Sequence, residues 1–197
     1  MHRAAGASHH LDELALVASL FSPLFAGLVF HGLCIKFGWL RSLAVPIDRG
    51  VLIRGRRLFG ANKTWRGVLA VSLGASAGYC LQSALPALQP PAFRALPTPG
   101  IAFLGLALGA AAMLSELPNS FLKRQLDVAP GAPGGGPAAV FFYVLDQVDL
   151  LLGAWLVAWR WVIPTTSRVL WSVLFVVALH QVISMLGALL GMRATSR

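Results

Sequence analysis

Long apolar runs separated by shorter polar breaks organise this chain. Runs of spanning length fall at about 14–37, 67–88, 100–122, 140–162 and 168–191. Each is close to the roughly 20 residues a helix needs to cross a hydrocarbon core. The second run carries Gly74 and Gly78 beside Ser76 and Ala77, and the third carries Gly105 and Gly109, a G-x-x-x-G pair. Small residues at this spacing let helix backbones approach closely, within one chain or between copies, which leaves a homo-oligomer open. Pro23 and Pro118 are expected to kink or loosen the first and third runs. Trp155, Trp159, Trp161 and Trp171 crowd the short break between the last two runs, where an interfacial aromatic belt is expected. The pattern predicts an all-α, polytopic integral membrane protein with about five transmembrane helices, forming a single domain over residues 1–197. Its longer polar connections cover about 38–66 and 123–139. Arg3 precedes an apolar run as in a signal peptide. Asp12 and Glu13 intervene, however, and no small-x-small cleavage site closes the run, so it reads as a retained helix.

Composition agrees: 57% of the residues are apolar and only 12% charged, more apolar surface than a soluble chain of 197 residues can hide. The charge distribution then orients the spans. Of the 16 Lys and Arg residues, all but Arg3, Arg94, Arg160 and Arg168 fall in the 1–2 connection, the 3–4 connection, their flanks and the C-terminal tail. The positive-inside rule places these on the cytoplasmic side of an inner membrane, with the N-terminus outside and the C-terminus in the cytoplasm. The formal charge is +9, but the cations flank membrane segments. Anionic lipid and anionic substrates are therefore the expected partners, and nucleic acid is not. Cys34 and Cys80 show no ligand spacing and read as small core residues. His31 and His180 read as packing residues on apolar faces, and His9 and His10 as solvated terminal ones.

Chemistry concentrates on the basic side. In "NKTWRG", a helix starting near Asn62 puts Lys63 and Arg66, three apart, on one face at a helix mouth, where backbone N–H groups also attract phosphate. In "SELPNSFLKRQL", Ser120, Lys123 and Arg124 fall at i, i+3 and i+4, with Glu116 four before the serine. In "FFYVLDQVDLLLGAWL", Asp146 and Asp149 share a helical face inside an apolar run, where a carboxylate needs a charge partner or a metal. An ion pair with Lys123 or Arg124 is the plain alternative. Two carboxylates with a third at Glu116 suit a hard cation such as Mg²⁺, which takes oxygen ligands, keeps waters and shares phosphates. The Gly- and Pro-rich "APGAPGGGPAAV" lacks a P-loop signature and reads as a hinge. Together these parts describe a site for a polyphosphate with divalent metal, suited to phosphoryl or nucleotidyl transfer at the lipid boundary.

On these residues the chain resembles the CDP-archaeol synthase family, a branch of the phosphatidate cytidylyltransferase superfamily. The likeness covers about 46–153, where "PID", "RRLFGANKTWRG", "SFLKRQL", "APG" and "LDQVDLLLGA" occur in family order. Ser120-x-x-Lys123-Arg124 followed by Asp146-x-x-Asp149 matches the superfamily signature. Ser115-Glu116 stands where the family shows Gly-Asp, and "LFGANKTW" replaces a "GDGKTW" stretch. The resemblance implies a CTP:lipid-phosphate cytidylyltransferase that uses Mg²⁺, with CTP and a membrane lipid phosphate as partners. It implies metal on Asp146 and Asp149, with Glu116 as a further carboxylate. Asn62, Lys63, Arg66 and Ser120 would then hold the CTP phosphates beside Lys123 and Arg124. The rival reading is a transporter or ion-coupled carrier using the buried carboxylates, which needs a polar path across the membrane where only Gln82 and Gln181 offer mid-span amides.

Overall fold

The computed structural model describes residues 2–129 and 136–189. Six helices dominate: α1 (His2–Lys36), α2 (Trp65–Ser83), α3 (Thr98–Leu114), α4 (Glu116–Gln125), α5 (Gly136–Ala158) and α6 (Thr166–Leu189). A small hairpin, β1 (Leu52–Ile53) paired with β2 (Arg56–Arg57), sits in the connection between α1 and α2. Four segments are long and apolar enough to cross a membrane: His10–Lys36, Thr98–Gln125, Ala139–Ala158 and Thr166–Leu189. The chain is an integral membrane protein built of helices.

The fifth expected span, 67–88, is represented by α2, whose 19 residues suffice in length but are less apolar than the other four segments because of Arg66, Gln82 and several glycines and serines. Packing explains the difference, because α2 lies between α1 and α3 and turns its small residues onto both. A Cβ built on Gly105 would lie 2.5 Å from Ser76 Cα, and one on Gly109 2.6 Å from Ser72 Cα. On the other side, a Cβ on Gly74 would lie 2.7 Å from Gly27 Cα. Small residues suit these two covered faces, while Leu69, Leu73 and Leu81 stay exposed on the remaining one. The small-residue faces are thus used inside the chain.

Pro23 lies inside α1 and cannot donate to the carbonyl of Ser19 four residues earlier. Gln82 of α2 fills that vacancy, its Nε2 donating to the Ser19 carbonyl at 2.8 Å, while the buried Tyr79 hydroxyl donates to the Leu20 carbonyl. Gln82 is therefore a structural amide rather than a station on a polar path.

Pro118 acts similarly at the end of the third span. It has no N–H for the Leu114 carbonyl, and the helix breaks at Ser115 into α3 and α4. Beside this break α5 crosses at Gly153, where an added Cβ would lie 2.6 Å from both the Ala111 carbonyl carbon and Ser115 Oγ. At the far end Arg168 holds Glu13 through Nε (2.8 Å) and Nη2 (3.1 Å), tying α6 to α1.

The aromatic belt is only partly as expected. Trp159 and Trp161 are exposed, but Trp155 is buried edge-on against Phe21 with its indole N–H on Ser172 Oγ at 3.3 Å. His10 is not merely solvated either, since its ring lies edge-on to Trp171 with centroids 6.4 Å apart. Of the stretch 129–140 expected as a hinge, residues 136–140 instead open α5, while residues 130–135, like the C-terminal Arg193 and Arg197, lie outside the described residues.

Gly153→Ala should force α5 off α3, since the clash is with backbone rather than a movable side chain. A loss on the order of 1–3 kcal/mol, the usual cost of overpacking, is expected as a lowered melting temperature in detergent.

Candidate functional site

The site forms where the α1–α2 connection folds over the broken end of the third span. That connection is held by Asp48, the only acidic residue between 38 and 66. Its buried carboxylate accepts from the backbone N–H groups of Gly50 (3.0 Å), Phe59 (3.1 Å) and Gly60 (3.0 Å), and from the Arg57 guanidinium at 2.5 Å. Burial alone pushes a carboxyl up. Here the Arg57 guanidinium and the three N–H donors outweigh it and hold Asp48 well below the usual carboxylate range. Arg56, next along β2, reaches the Gln125 carbonyl and Asp127 just beyond α4, so the hairpin is tied to the end of that helix.

The segment carrying Lys63 is positioned by short antiparallel pairing. Ile47 N–H donates to the Lys63 carbonyl at 2.8 Å and Trp65 N–H to the Val45 carbonyl at 3.1 Å. Thr64 then caps α2, its hydroxyl accepting from Gly67 N–H at 3.3 Å. This corrects the expectation of a helix from Asn62. Thr64 is the better cap, so Lys63 stands outside the helix, and only Arg66 belongs to its first turn.

Three carboxylates and several cations meet here. Lys63 pairs with Glu116 at the start of α4. Lys123 reaches both oxygens of Asp146 at 2.5 Å, so the ion-pair alternative is realised for that aspartate. Asn119, one α4 turn before Lys123, donates its amide to Asp146 Oδ1 at 2.7 Å and to Asp149 Oδ2 at 3.0 Å. Asp149 also accepts from Leu150 N–H at 2.7 Å. Exposure divides the two acids: the Asp146 side chain is 47% exposed, whereas Asp149 is 4% exposed.

On the loop side, a Cβ added at Gly60 would lie 3.2 Å from Asn62 Oδ1 and 3.6 Å from Arg124 Cδ, so Asn62 and Arg124 flank one glycine. The Nε atoms of Arg124 and Arg66 are buried without a hydrogen-bond partner. Ser120 is buried beside Asn119. Among the described residues, no hydrogen bond or ion pair joins Ser120 or Arg66 to the aspartates.

Glu116, expected as a third metal ligand, is engaged with Lys63. No group of three His, Cys, Asp or Glu side chains among the described residues is set to hold a metal. The remaining donor set still suits a hard cation. Two carboxylates converge on one amide nitrogen, and the Asn119 Oδ1 beside them is buried without a partner. Two protein oxygen donors, with waters and phosphate completing the shell, is the usual Mg²⁺ arrangement.

Two contributors escaped the sequence reading. Asn119 is uncharged and hides inside the quoted motif. Asp48 had a signal, a lone acid among cations followed two residues later by Gly50, the pattern of a side chain bonded back onto its own turn.

Comparison with known proteins places these residues in a family context. A family model described as CarS-like, CDP-archaeol synthase, matches residues 28–196. A CDP-archaeol synthase of Halobacterium salinarum (strain ATCC 29341 / DSM 671 / R1) is 40% identical over 112 residues, 55% of this chain and 56% of that protein. The chain thus spans little more than half the length of that relative. One of Halorubrum lacusprofundi is 33% identical over 184 residues, covering 88% of this chain and 93% of the relative. One of Methanoculleus marisnigri is 30% identical over 156 residues, covering 75% and 87%. A solved structure of an intramembrane enzyme for archaeal membrane lipids biosynthesis shares the fold. Its TM-score is 0.63 at 24% identity, over 85% of this chain and 92% of that one.

The Asp48 clamp has a pH signature. A carboxyl whose pKa is depressed by folding contributes stability above its unfolded value of about 3.9, and that contribution is lost as pH falls towards the folded value. The melting temperature of the native chain should therefore drop on acidification below about pH 4 by more than that of Asp48→Asn. The variant should already melt lower at neutral pH.

Proposed function

The chain belongs to the CDP-archaeol synthase family, and from that premise we propose that it transfers the cytidylyl group of CTP to a membrane lipid phosphate. The products are pyrophosphate and a CDP-activated lipid. The observation that carries this reading is the cluster itself: an amide-bridged aspartate pair beside Lys63, Lys123 and Arg124, at the end of a membrane span.

In the proposed reaction a lipid phosphate oxygen attacks the α-phosphorus of CTP, and the bond from that phosphorus to the β-bridging oxygen breaks. Phosphate monoesters carry a second negative charge near neutral pH, so the nucleophile needs no general base. Asp146 and Asp149 would hold a divalent ion, Mg²⁺ in this reading. Once bound, that ion neutralises charge on the α-phosphate and helps align the reactants. Lys123 and Arg124 stabilise the departing pyrophosphate, and Asn62, Lys63, Arg66 and Ser120 receive the remaining phosphate oxygens.

The two ion pairs support this assignment of roles. A lysine holding a carboxylate can exchange it for a phosphate when the nucleotide arrives, which frees Asp146 for the metal. The buried, unpartnered Nε atoms of Arg66 and Arg124 add unsatisfied donors in the same region. The reading puts this end of the helices on the cytoplasmic side of the inner membrane, where CTP is available, with the N-terminus outside.

Purified protein supplied with CTP, Mg²⁺ and a panel of lipid phosphates should release pyrophosphate. Asp146→Asn should remove the activity while leaving the melting profile folded. Lys123→Ala should lower kcat by roughly two orders of magnitude, as for loss of one electrostatic stabiliser. Wild-type turnover in Asp146→Asn would overturn the metal role of that residue. Absence of pyrophosphate with every acceptor would overturn the transferase reading.

A further inference from the structure

We propose that Asn119 is the positioning residue of the divalent-ion site, resting on the assignment of Asp146 and Asp149 as its ligands. Its amide holds the two carboxylates at one spacing, and its free carbonyl oxygen supplies an acceptor to the ion's water shell.

Repulsion between the two acids sets the requirement. Asp146 and Asp149 are three residues apart on α5, so their charges face the same way, Asp149 buried and Asp146 at the more exposed edge. Something must keep them together when no ion is present. Lys123 does so for Asp146 alone, from the more exposed side. The only group that touches both, among the described residues, is Asn119 Nδ2, which has two hydrogens and two carboxylate acceptors, one for each. That geometry also fixes the amide orientation, since turning the oxygen towards two carboxylates would oppose three acceptors.

Chemistry then explains why an amide suits the position. A third carboxylate would add repulsion, and a second lysine beside Lys123 would cancel the remaining charge and compete with a metal. A neutral donor spaces the acids and leaves their two negative charges to match a divalent cation. The second observation is the orphaned oxygen. Asn119 is 4% exposed and its Oδ1 has no partner, a state that costs free energy unless a ligand or its water completes it. The oxygen shares one carboxamide with the nitrogen that bridges the acids, and water on an ion held there is the partner we assign to it.

A glue between α4 and α5 would also use such an amide, so the test must read metal directly. Mn²⁺ binding to the detergent-purified full chain is measured by electron paramagnetic resonance, without nucleotide, for the native protein, Asn119→Ala, Asn119→Asp and Asp149→Asn. Asn119→Ala should weaken Mn²⁺ binding at least tenfold. The Mg²⁺ concentration for half-maximal pyrophosphate release should rise by a similar factor. At saturating Mg²⁺ its kcat should recover, with KM for CTP within about twofold of native, a split that loss of helix glue would not produce. Asn119→Asp should melt lower than the native chain without divalent ion and gain more melting temperature on adding Mn²⁺. That second variant carries the test if Asn119→Ala does not fold. Native Mn²⁺ affinity in both Asn119 variants, with binding lost in Asp149→Asn, would overturn the proposal. A native protein that turns over without binding Mn²⁺ would remove the ion site, and Asn119 with it, while leaving cytidylyl transfer in place.

Discussion

Two like charges on one turn of a membrane helix must be matched from outside that helix. Asp146 and Asp149 cannot satisfy each other, and apart from Gln147 and the Leu150 N–H that reaches Asp149 the neighbouring part of α5 is apolar. The partners have to come from α4, which supplies Asn119 and Lys123. That requirement explains features that otherwise look unrelated. The third span continues past the turn at Ser115 into α4, whose polar face carries both residues. Alpha5 must come within backbone contact of α3, which Gly153 permits. A side chain at that glycine would separate the very groups whose charges need each other.

A second layer of organisation lies in the connection between α1 and α2. A loop of cations would repel itself if left to solvent. Asp48 gathers three backbone N–H groups and one arginine around a buried carboxylate, and Arg56 moors the hairpin to the end of α4. The result is a basic surface with defined shape, on which Asn62, Lys63 and Arg124 keep fixed relations. Charge-assisted hydrogen bonds do here what apolar packing does between the helices.

Much of this was legible in the chain. Apolar run lengths located the spans, Pro118 marked the break, and Gly105 and Gly109 marked a close helix crossing. The charged members of the site stood out because each is costly in its setting. What stayed hidden was whatever hydropathy cannot register. Asn119 scores as one more polar residue near a span end, although its two hydrogens organise the acids. Thr64 outcompetes Asn62 as a cap through a backbone bridge to Pro46, a non-local contact that no local pattern reports. Trp155 turns inward for the hydroxyl of Ser172, against the interfacial preference of its residue type. Alpha2 reads as a lipid-facing span, yet its small residues are there to be covered.

The vacancy at Pro23 has a consequence for biogenesis. When α1 first emerges from the ribosome and partitions into the bilayer, its Ser19 carbonyl has no donor in hydrocarbon. That deficit ends only when α2 arrives with Gln82. Parting the two helices in hydrocarbon would leave that carbonyl unmet, so the proline in α1 favours their packing as a pair.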